Sequence, residues 1–548
     1  MHPPPIHACA PTTIPPLPPP KPLPPPKLFY QHFLPTLPAY TGSSHVGYID
    51  LELPASPLFQ TQLPNLSTIL LAIYYPTTFN DDLPKSERRK VIKHKAGSPV
   101  HWSSGKGKAR KDLVTAGARY VCGIRLPKQA VRGWVKLTGW GVTLPVIRNG
   151  ALKDFPQVLE RVKGESYSLD VIEEEDEEDE GDQDQNGNMK KEQDTKRKKY
   201  PVIIFSHGFG GSRTAYSSIC GELASHGFVV VALEHRDGSA TRTCVTKPRA
   251  EHTDSDSDDQ GLKTHDQDRK KKKQKTSDHY TVRYVAPTDK NASPHDEGGL
   301  DTETRQAQLT MRLAEIEEAC RILHLINGGD AEDEIQEKNL RKDGDVDWKD
   351  WHDRLHLDSI TMMGHCFGGT TALQALRSER LGWISQGVVL DPCVLCAIPG
   401  FATGKDTERL QKPVLLVGSD EATTQWTEKF EHIKKMCRQT QQQQEDERTG
   451  TLCMTTLKGS TTHISQTDFA VLYPNCMSAL MKMGRTKPVV KPKRAIHLSF
   501  LSALEFLKST LPPHQTKFLD IITDSDRLPK DMAVSNETSV GFDHRLVG

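Results

Sequence analysis

The stretch from Ile360 to Leu373, ITMMGHCFGGTTAL, sets a cysteine between two glycines as Gly364-His365-Cys366-Phe367-Gly368. An apolar run, a Gly-x-Cys-x-Gly turn and a helix-forming segment are what a nucleophile on a sharp strand-to-helix turn requires. Larger residues at either glycine would strike the strand or the helix. Cys366 is therefore the candidate nucleophile, with Gly364 and Gly368 giving the turn its room. Acyl transfer at such a residue also needs backbone donors for an oxyanion, and a base held in place by an acid. The Phe367 N–H is the first candidate donor. The second is the Phe209 N–H, in the glycine-rich turn Ser206-His207-Gly208-Phe209-Gly210-Gly211 that follows Val202-Ile203-Ile204-Phe205. In the order nucleophile, acid, histidine, the chain offers Asp391 after Val388-Val389-Leu390 and His463 in Gly459-Ser460-Thr461-Thr462-His463. His463 would take the thiol proton, and Asp391 would fix its tautomer.

Other reactive types fit less well. The glycine-rich turn resembles a phosphate loop but lacks the Gly-Lys-Ser/Thr ending. Cys393-Val394-Leu395-Cys396 is a C-x-x-C without a second pair at zinc-ribbon spacing and without thioredoxin-like surroundings, so it reads as structural. His207, His226 and His235 read as turn or supporting residues. No metal-ligand array or cofactor motif is visible, and neither a metal nor a cofactor is expected.

The elements that must hold these residues are short apolar runs bounded by turn residues: Val202–Phe205, Phe228–Leu233, Ile360–Met363, Gly387–Leu390 and Val414–Val417. Each suits a strand buried on both faces. Between them, Leu309, Leu313, Ile316, Cys320 and Leu323 recur at helical spacing before the stop signal Asn327-Gly328. Alternation of strand and helix predicts an α/β architecture with a mostly parallel sheet. Val46–Leu53 and Ile69–Tyr75 predict two early strands flanking it, and Ile496–Leu507 predicts a core helix.

The rest of the 548 residues bounds the function. Formal net charge is +0, which predicts no nucleic-acid partner. The hydrophobic fraction of 36% implies that much of the chain is solvated. Residues 1–39 are proline-rich and predict a disordered polyproline tail, the place where an SH3- or WW-type module would dock. Charged stretches at about 171–199 and 238–299, the latter with Arg269-Lys270-Lys271-Lys272-Lys273, predict solvated loops inserted into one domain spanning 40–510. Residues 511–548 form a C-terminal extension. The eleven cysteines follow no secreted disulfide pattern. The start, Met1-His2-Pro3-Pro4-Pro5, lacks a secretory signal, and no run is apolar enough to span a bilayer. These features predict an intracellular, cytoplasmic protein.

Several segments resemble the plasma-type platelet-activating factor acetylhydrolases. FSHGFGGSRTAYSSICGELASHGFVVVALEHRDGS (205–239) is similar over its whole length, and GHCFGGTTALQAL (364–376) resembles the family's nucleophile turn, with Cys366 where the family has serine. GVVLDP (387–392) and GSTTHISQTDF (459–469) resemble its acid and histidine segments; VGYIDLELP and LAIYYP resemble its opening strands. The resemblance implies an α/β-hydrolase fold and a calcium-independent, phospholipase A2-type esterase that removes short or oxidised sn-2 acyl groups from phospholipids. Peripheral contact with membranes is a further partner option, which the sequence does not decide. The resemblance assigns Cys366, Asp391 and His463 as the triad and Phe209 and Phe367 as oxyanion donors. The cysteine leaves two alternatives open: a catalytically silent lipid-binding or regulatory protein, and an interaction scaffold using the proline-rich tail.

Overall fold

The computed structural model describes residues 36–63, 66–78, 99–102, 142–154, 198–246, 279–285, 302–341, 343–400, 410–425, 427–441, 452–460, 463–472, 490–516 and 545–546. Its centre is a sheet of ten strands among the described residues: β1 (His45–Pro54), β2 (Thr68–Thr77), β3 (Ile147–Arg148), β4 (Tyr200–Ser206), β5 (Val229–Leu233), β8 (Leu355–His365), β9 (Ile384–Leu390), β10 (Val414–Ser419), β11 (Leu452–Leu457) and β12 (Arg545–Leu546). Their order is β12-β11-β10-β9-β8-β4-β5-β2-β1-β3. The run from β11 to β5 is parallel throughout. β2 joins β5 antiparallel, and β1 pairs with β2 along its full length. The early strands therefore extend the main sheet at one side. This is the α/β-hydrolase arrangement.

Strand composition explains the burial. Val202 and Ile204 belong to one apolar layer and Ile203 and Phe205 to the other; Val229, Val231 and Leu233 likewise alternate with Val230 and Ala232. A strand buried on both faces needs an apolar residue at every position. Helices α1 (Ser217–Ser225) and α4 (Pro492–Thr510) cover one face, and α2 (Thr302–Gly328) and α3 (Phe367–Arg377) the other. In α2 the expected residues Leu309, Ile316, Cys320 and Leu323 are buried. Asn327 closes that helix by accepting the Leu355 N–H at 2.8 Å, which fixes where β8 begins. Each fully buried aliphatic side chain contributes roughly 1.5–3 kcal/mol.

After β4 the chain crosses to β5 on one side and later to β8 on the other, so the order reverses between β4 and β8. The carboxyl ends of strands flanking such a reversal open a crevice. Ser206 and Cys366 stand at those two ends.

The charged stretch 238–299 is expected to be a solvated loop, yet two of its segments, β6 (Arg242–Thr246) and β7 (His279–Arg283), pair as an antiparallel ribbon. Thr243 and Val245 are buried, Thr243 donates to Glu234 at 2.6 Å, and the Thr246 N–H donates to Glu52 at 2.8 Å. Thr243 and Thr246 are thus partners for buried carboxylates, while Arg269 to Lys273 lie outside the described residues. Residues 247–278 and 286–299 lie outside the described residues, as do 1–35 and 171–197. Leu37 is buried against the core, and β12 of the C-terminal extension pairs with β11.

A buried ion cluster ties β1 to the central sheet. Arg213 grips Asp50 with both ends of its guanidinium, at 2.7 and 2.9 Å, and also donates to Glu234. The Arg213 charge holds the Asp50 carboxyl at about 2 in spite of its burial. Replacing Arg213 with Met strands two buried carboxylates and is expected to cost about 3–5 kcal/mol in urea unfolding. Adding Asp50→Asn and Glu234→Gln should restore much of that. A loss below roughly 1 kcal/mol for Arg213→Met would show the cluster to be energetically idle.

Candidate active site

Cys366 lies between β8 and α3 with φ 58° and ψ −121°, a conformation that an L-residue adopts only under constraint. Three contacts impose it. A Cβ on Gly364 would fall 2.0 Å from the Gly368 carbonyl oxygen, and one on Gly368 would fall 2.0 Å from the Ser206 oxygen. The Cys366 N–H donates to Leu390 O at 2.9 Å, fastening the turn to the end of β9. Phe367 opens α3, so its N–H has no acceptor within the helix. The glycine-rich turn after β4 meets this site directly: a Cβ on Gly208 would lie 2.6 Å from that of Cys366. The Gly208 N–H donates to the Tyr216 hydroxyl at 3.2 Å, and that hydroxyl bonds His365 Nδ1 at 2.8 Å.

Asp391 directly follows β9, has φ 40° and is fully buried. Its N–H donates to Val417 O at 3.0 Å, and its carboxylate accepts from the Ser419 N–H at 2.6 Å and from Gln466 Nε2 at 3.2 Å. Gln466 closes the turn His463–Gln466 that His463 opens. The candidate acid is thereby fastened to the segment that carries the candidate base; the His463 side chain itself lies outside the described residues. Asp468, two residues past that turn, caps α1 through the N–H groups of Ser217 and Ser218 at 2.8 and 2.9 Å. Burial raises its carboxyl to about 6. The structure thus brings Cys366, Phe367, Phe209, Gly364, Gly368 and Asp391 to adjoining strand ends, with the His463 turn beside Asp391.

Beneath this layer lies a polar network that the sequence did not reveal. Arg312 of α2 donates to Asp237 at 2.7 Å, to Ser239 Oγ at 2.6 Å, to the His207 carbonyl at 2.9 Å and to Ser206 Oγ at 3.3 Å. Its guanidinium also sits 4.3 Å from the Phe367 ring centroid. Phe367 stacks on Phe209 at 4.8 Å with 5° between the planes, and Arg305 covers Phe209 at 4.6 Å. The two residues assigned as oxyanion donors are therefore locked to each other through their side chains. Helical spacing marks α2 but gives no sign that its arginines point inward. The C-x-x-C pattern by itself predicts a structural Cys393; its sulfur lies 3.1 Å from that of Cys366.

Ser206, His235 and Glu315 form a second serine–histidine–acid chain: Ser206 Oγ to His235 Nε2 at 2.7 Å, and His235 Nδ1 to Glu315. All three are buried. Burial pushes Glu315 up to about 8 and holds His235 well below its usual range, so at neutral pH the pair is a protonated acid beside a neutral imidazole. Ser206 additionally accepts from Arg312. This arrangement supports the floor of the turn and presents no accessible nucleophile.

A family model described as platelet-activating factor acetylhydrolase, isoform II, matches residues 180–521, more than half of the chain. The chain belongs to that family. The family match contains Phe209, Cys366, Asp391 and His463, whereas the opening-strand segments VGYIDLELP and LAIYYP lie outside it. The platelet-activating factor acetylhydrolase of Gallus gallus is 29% identical over 316 residues, 57% of this chain and 63% of that protein. That of Canis lupus familiaris is 31% identical over 238 residues, 43% of this chain and 44% of its own. The chain spans less than two thirds of the length of these curated relatives. A ferulic acid esterase from Streptomyces cinnamoneus superposes with a TM-score of 0.44 at 14% identity, over 90% of this chain and 98% of its own.

The Glu315 pair makes stability pH-dependent in a defined direction. A carboxyl raised to about 8 in the native state contributes stability that is fully present below the unfolded pKa and is lost as pH rises through 8. Glu315→Gln cannot ionise, so relative to the native chain it should gain about 4 kcal/mol between pH 5 and 9 in urea unfolding. Parallel curves for the two proteins would contradict a protonated Glu315.

Proposed function

We propose that this chain is a carboxylic ester hydrolase acting through Cys366, Asp391 and His463, with phospholipids bearing a short sn-2 acyl group as substrates. The observation that carries the reading is the Cys366 turn. A non-glycine residue is held at φ 58° between two glycines with no space for a Cβ, and an ordered acid stands at the end of the next strand. The names of the relatives support acetyl ester cleavage in platelet-activating factor. Among the described residues, no helix is long and apolar enough to cross a membrane, which accords with substrate reached from the aqueous side or through peripheral contact.

In this mechanism His463 removes the Cys366 proton as sulfur attacks the ester carbonyl. The carbonyl electrons move to oxygen, held by the Phe209 and Phe367 N–H groups. His463 then returns the proton to the departing lysolipid oxygen as the C–O bond breaks, leaving a thioester on Cys366. Water, deprotonated by His463, attacks that thioester; the acid departs and Cys366 regains its proton. Asp391 steadies the imidazolium during both halves. Thiolate leaves a tetrahedral intermediate more readily than alkoxide, so protonation of the lysolipid oxygen controls acylation. Deacylation should be fast, and activated esters should outpace alkyl esters. The mechanism calls on protein groups alone.

One observation favours a second reading, a silent lipid-binding protein: Cys366 is only 2% exposed and its sulfur lies against Cys393. Intact-mass measurement during incubation with p-nitrophenyl acetate and with a 2-acetyl phospholipid separates the two. The hydrolase reading expects an adduct on Cys366 that forms and decays. It expects Cys366→Ala to abolish turnover, and Asp391→Asn to lower kcat by about 10³–10⁴. No adduct on the native chain, with turnover appearing in Cys366→Ser, would establish the silent reading instead.

A further inference from the structure

The sulfur of Cys393 meets that of Cys366 at 3.1 Å, across 27 residues of sequence. The backbone holds the contact in place. The Cys393 N–H donates to the Cys366 carbonyl at 3.3 Å, and Thr370, in the first turn of α3, donates through its hydroxyl to the Cys393 carbonyl. The next residue, Val394, is a β-branched residue held at φ 57° and ψ 46°, a conformation that persists only where the surroundings enforce it. Both cysteines are buried and neither is in a disulfide. A disulfide has a sulfur–sulfur bond of about 2.05 Å, so closing the pair requires a movement of only about 1 Å. Burial and the neighbouring Cys366 both raise the Cys393 thiol well above its ordinary range, which keeps its proton in place.

We propose that Cys366 and Cys393 form a site of reversible oxidation, in which a hydroperoxide converts the two thiols to a disulfide that silences and shields Cys366. As regulation, this rests on the reading of Cys366 as the nucleophile. The chemistry balances in two steps. The Cys366 sulfur attacks the terminal oxygen of the hydroperoxide; the O–O bond breaks, the alcohol leaves with the displaced proton, and Cys366 becomes a sulfenic acid. Cys393 sulfur then attacks Cys366 sulfur, the S–O bond breaks, and the hydroxide departs with the Cys393 proton as water. Two thiols and one hydroperoxide give one disulfide, one alcohol and one water, the thiols supplying the two electrons that reduce the O–O bond. Thiol–disulfide exchange with a dithiol restores both cysteines. Without the second thiol, the sulfenic acid is open to further, irreversible oxidation.

The full chain, fully reduced, is treated with graded hydrogen peroxide, its remaining thiols are alkylated, and it is digested with trypsin without reduction. Cleavage separates Cys366 (residues 355–377) from Cys393 (residues 381–405), and fragment spectra distinguish Cys393 from Cys396 on the second peptide. The expected product is a Cys366–Cys393 link that disappears with dithiothreitol, while p-nitrophenyl acetate hydrolysis falls and returns in step. In Cys393→Ser and in Cys393→Ala, the same dose should drive Cys366 to sulfinic or sulfonic acid, and the activity recovered with dithiothreitol should fall from nearly all to nearly none. Cys366 sulfinic acid on the native chain with Cys393 still alkylated overturns the proposal; so does a link from Cys393 to Cys396. The link is read by mass and needs no activity. A link in a chain that showed no turnover before oxidation would support the oxidation site while overturning the hydrolase reading.

Discussion

The seating of the α3 N-terminus against the end of β4 is a backbone-to-backbone contact, and the geometry around Cys366 depends on it. Gly368 lies so close to the Ser206 carbonyl, and Gly364 so close to the Gly368 carbonyl, that a single added carbon at either position would overlap main-chain atoms. Main chain cannot swing aside as a side chain can, so the turn has one shape. That shape drives Cys366 to φ 58°, at a cost of roughly 1–3 kcal/mol that the surrounding sheet must offset. Leu390, accepting the Cys366 N–H, carries the constraint into β9 and thus to Asp391, itself at φ 40°.

Arg312 extends the same constraint sideways. Its charge is satisfied by Asp237, and its remaining donors reach the His207 carbonyl, Ser206 and Ser239. One α2 side chain thereby fixes the turn after β4, the loop after β5 and, through its contact with the Phe367 ring, the start of α3. A buried guanidinium is tolerated only when paired and hydrogen-bonded. In this fold, meeting that requirement brings together the three segments that surround Cys366. The Phe209–Phe367 stack then sets the two assigned oxyanion residues at a fixed spacing.

The cysteine changes what the neighbourhood means. A hydroxyl at position 366 would make Cys393 one more buried apolar residue. With a thiol at each position, 3.1 Å apart, the same packing becomes a place where oxidation can be stored and reversed. On the proposed reading, chemistry and regulation of position 366 are linked by a single contact.

The apolar runs of β4, β5, β8, β9 and β10, the 3.6-residue spacing of α2, and the glycines at 364 and 368 were legible in the sequence, because each is dictated locally: a doubly buried strand needs unbroken apolar residues, and a tight turn needs missing side chains. The placing of Cys366 and Asp391 directly after β8 and β9 could be read the same way. The ribbon of β6 and β7 could not, since Thr243 and Thr246 look solvated until the carboxylates of Glu234 and Glu52 are known to lie beside them. Arg312, Gln466 and the Cys366–Cys393 contact were equally invisible, for each joins residues that only the strand order from β8 to β11 and the packing of α2 bring together. Sequence determined which segments are buried and where the backbone must turn; tertiary structure decided which polar groups meet, because partners are set by strand order and helix packing across long separations.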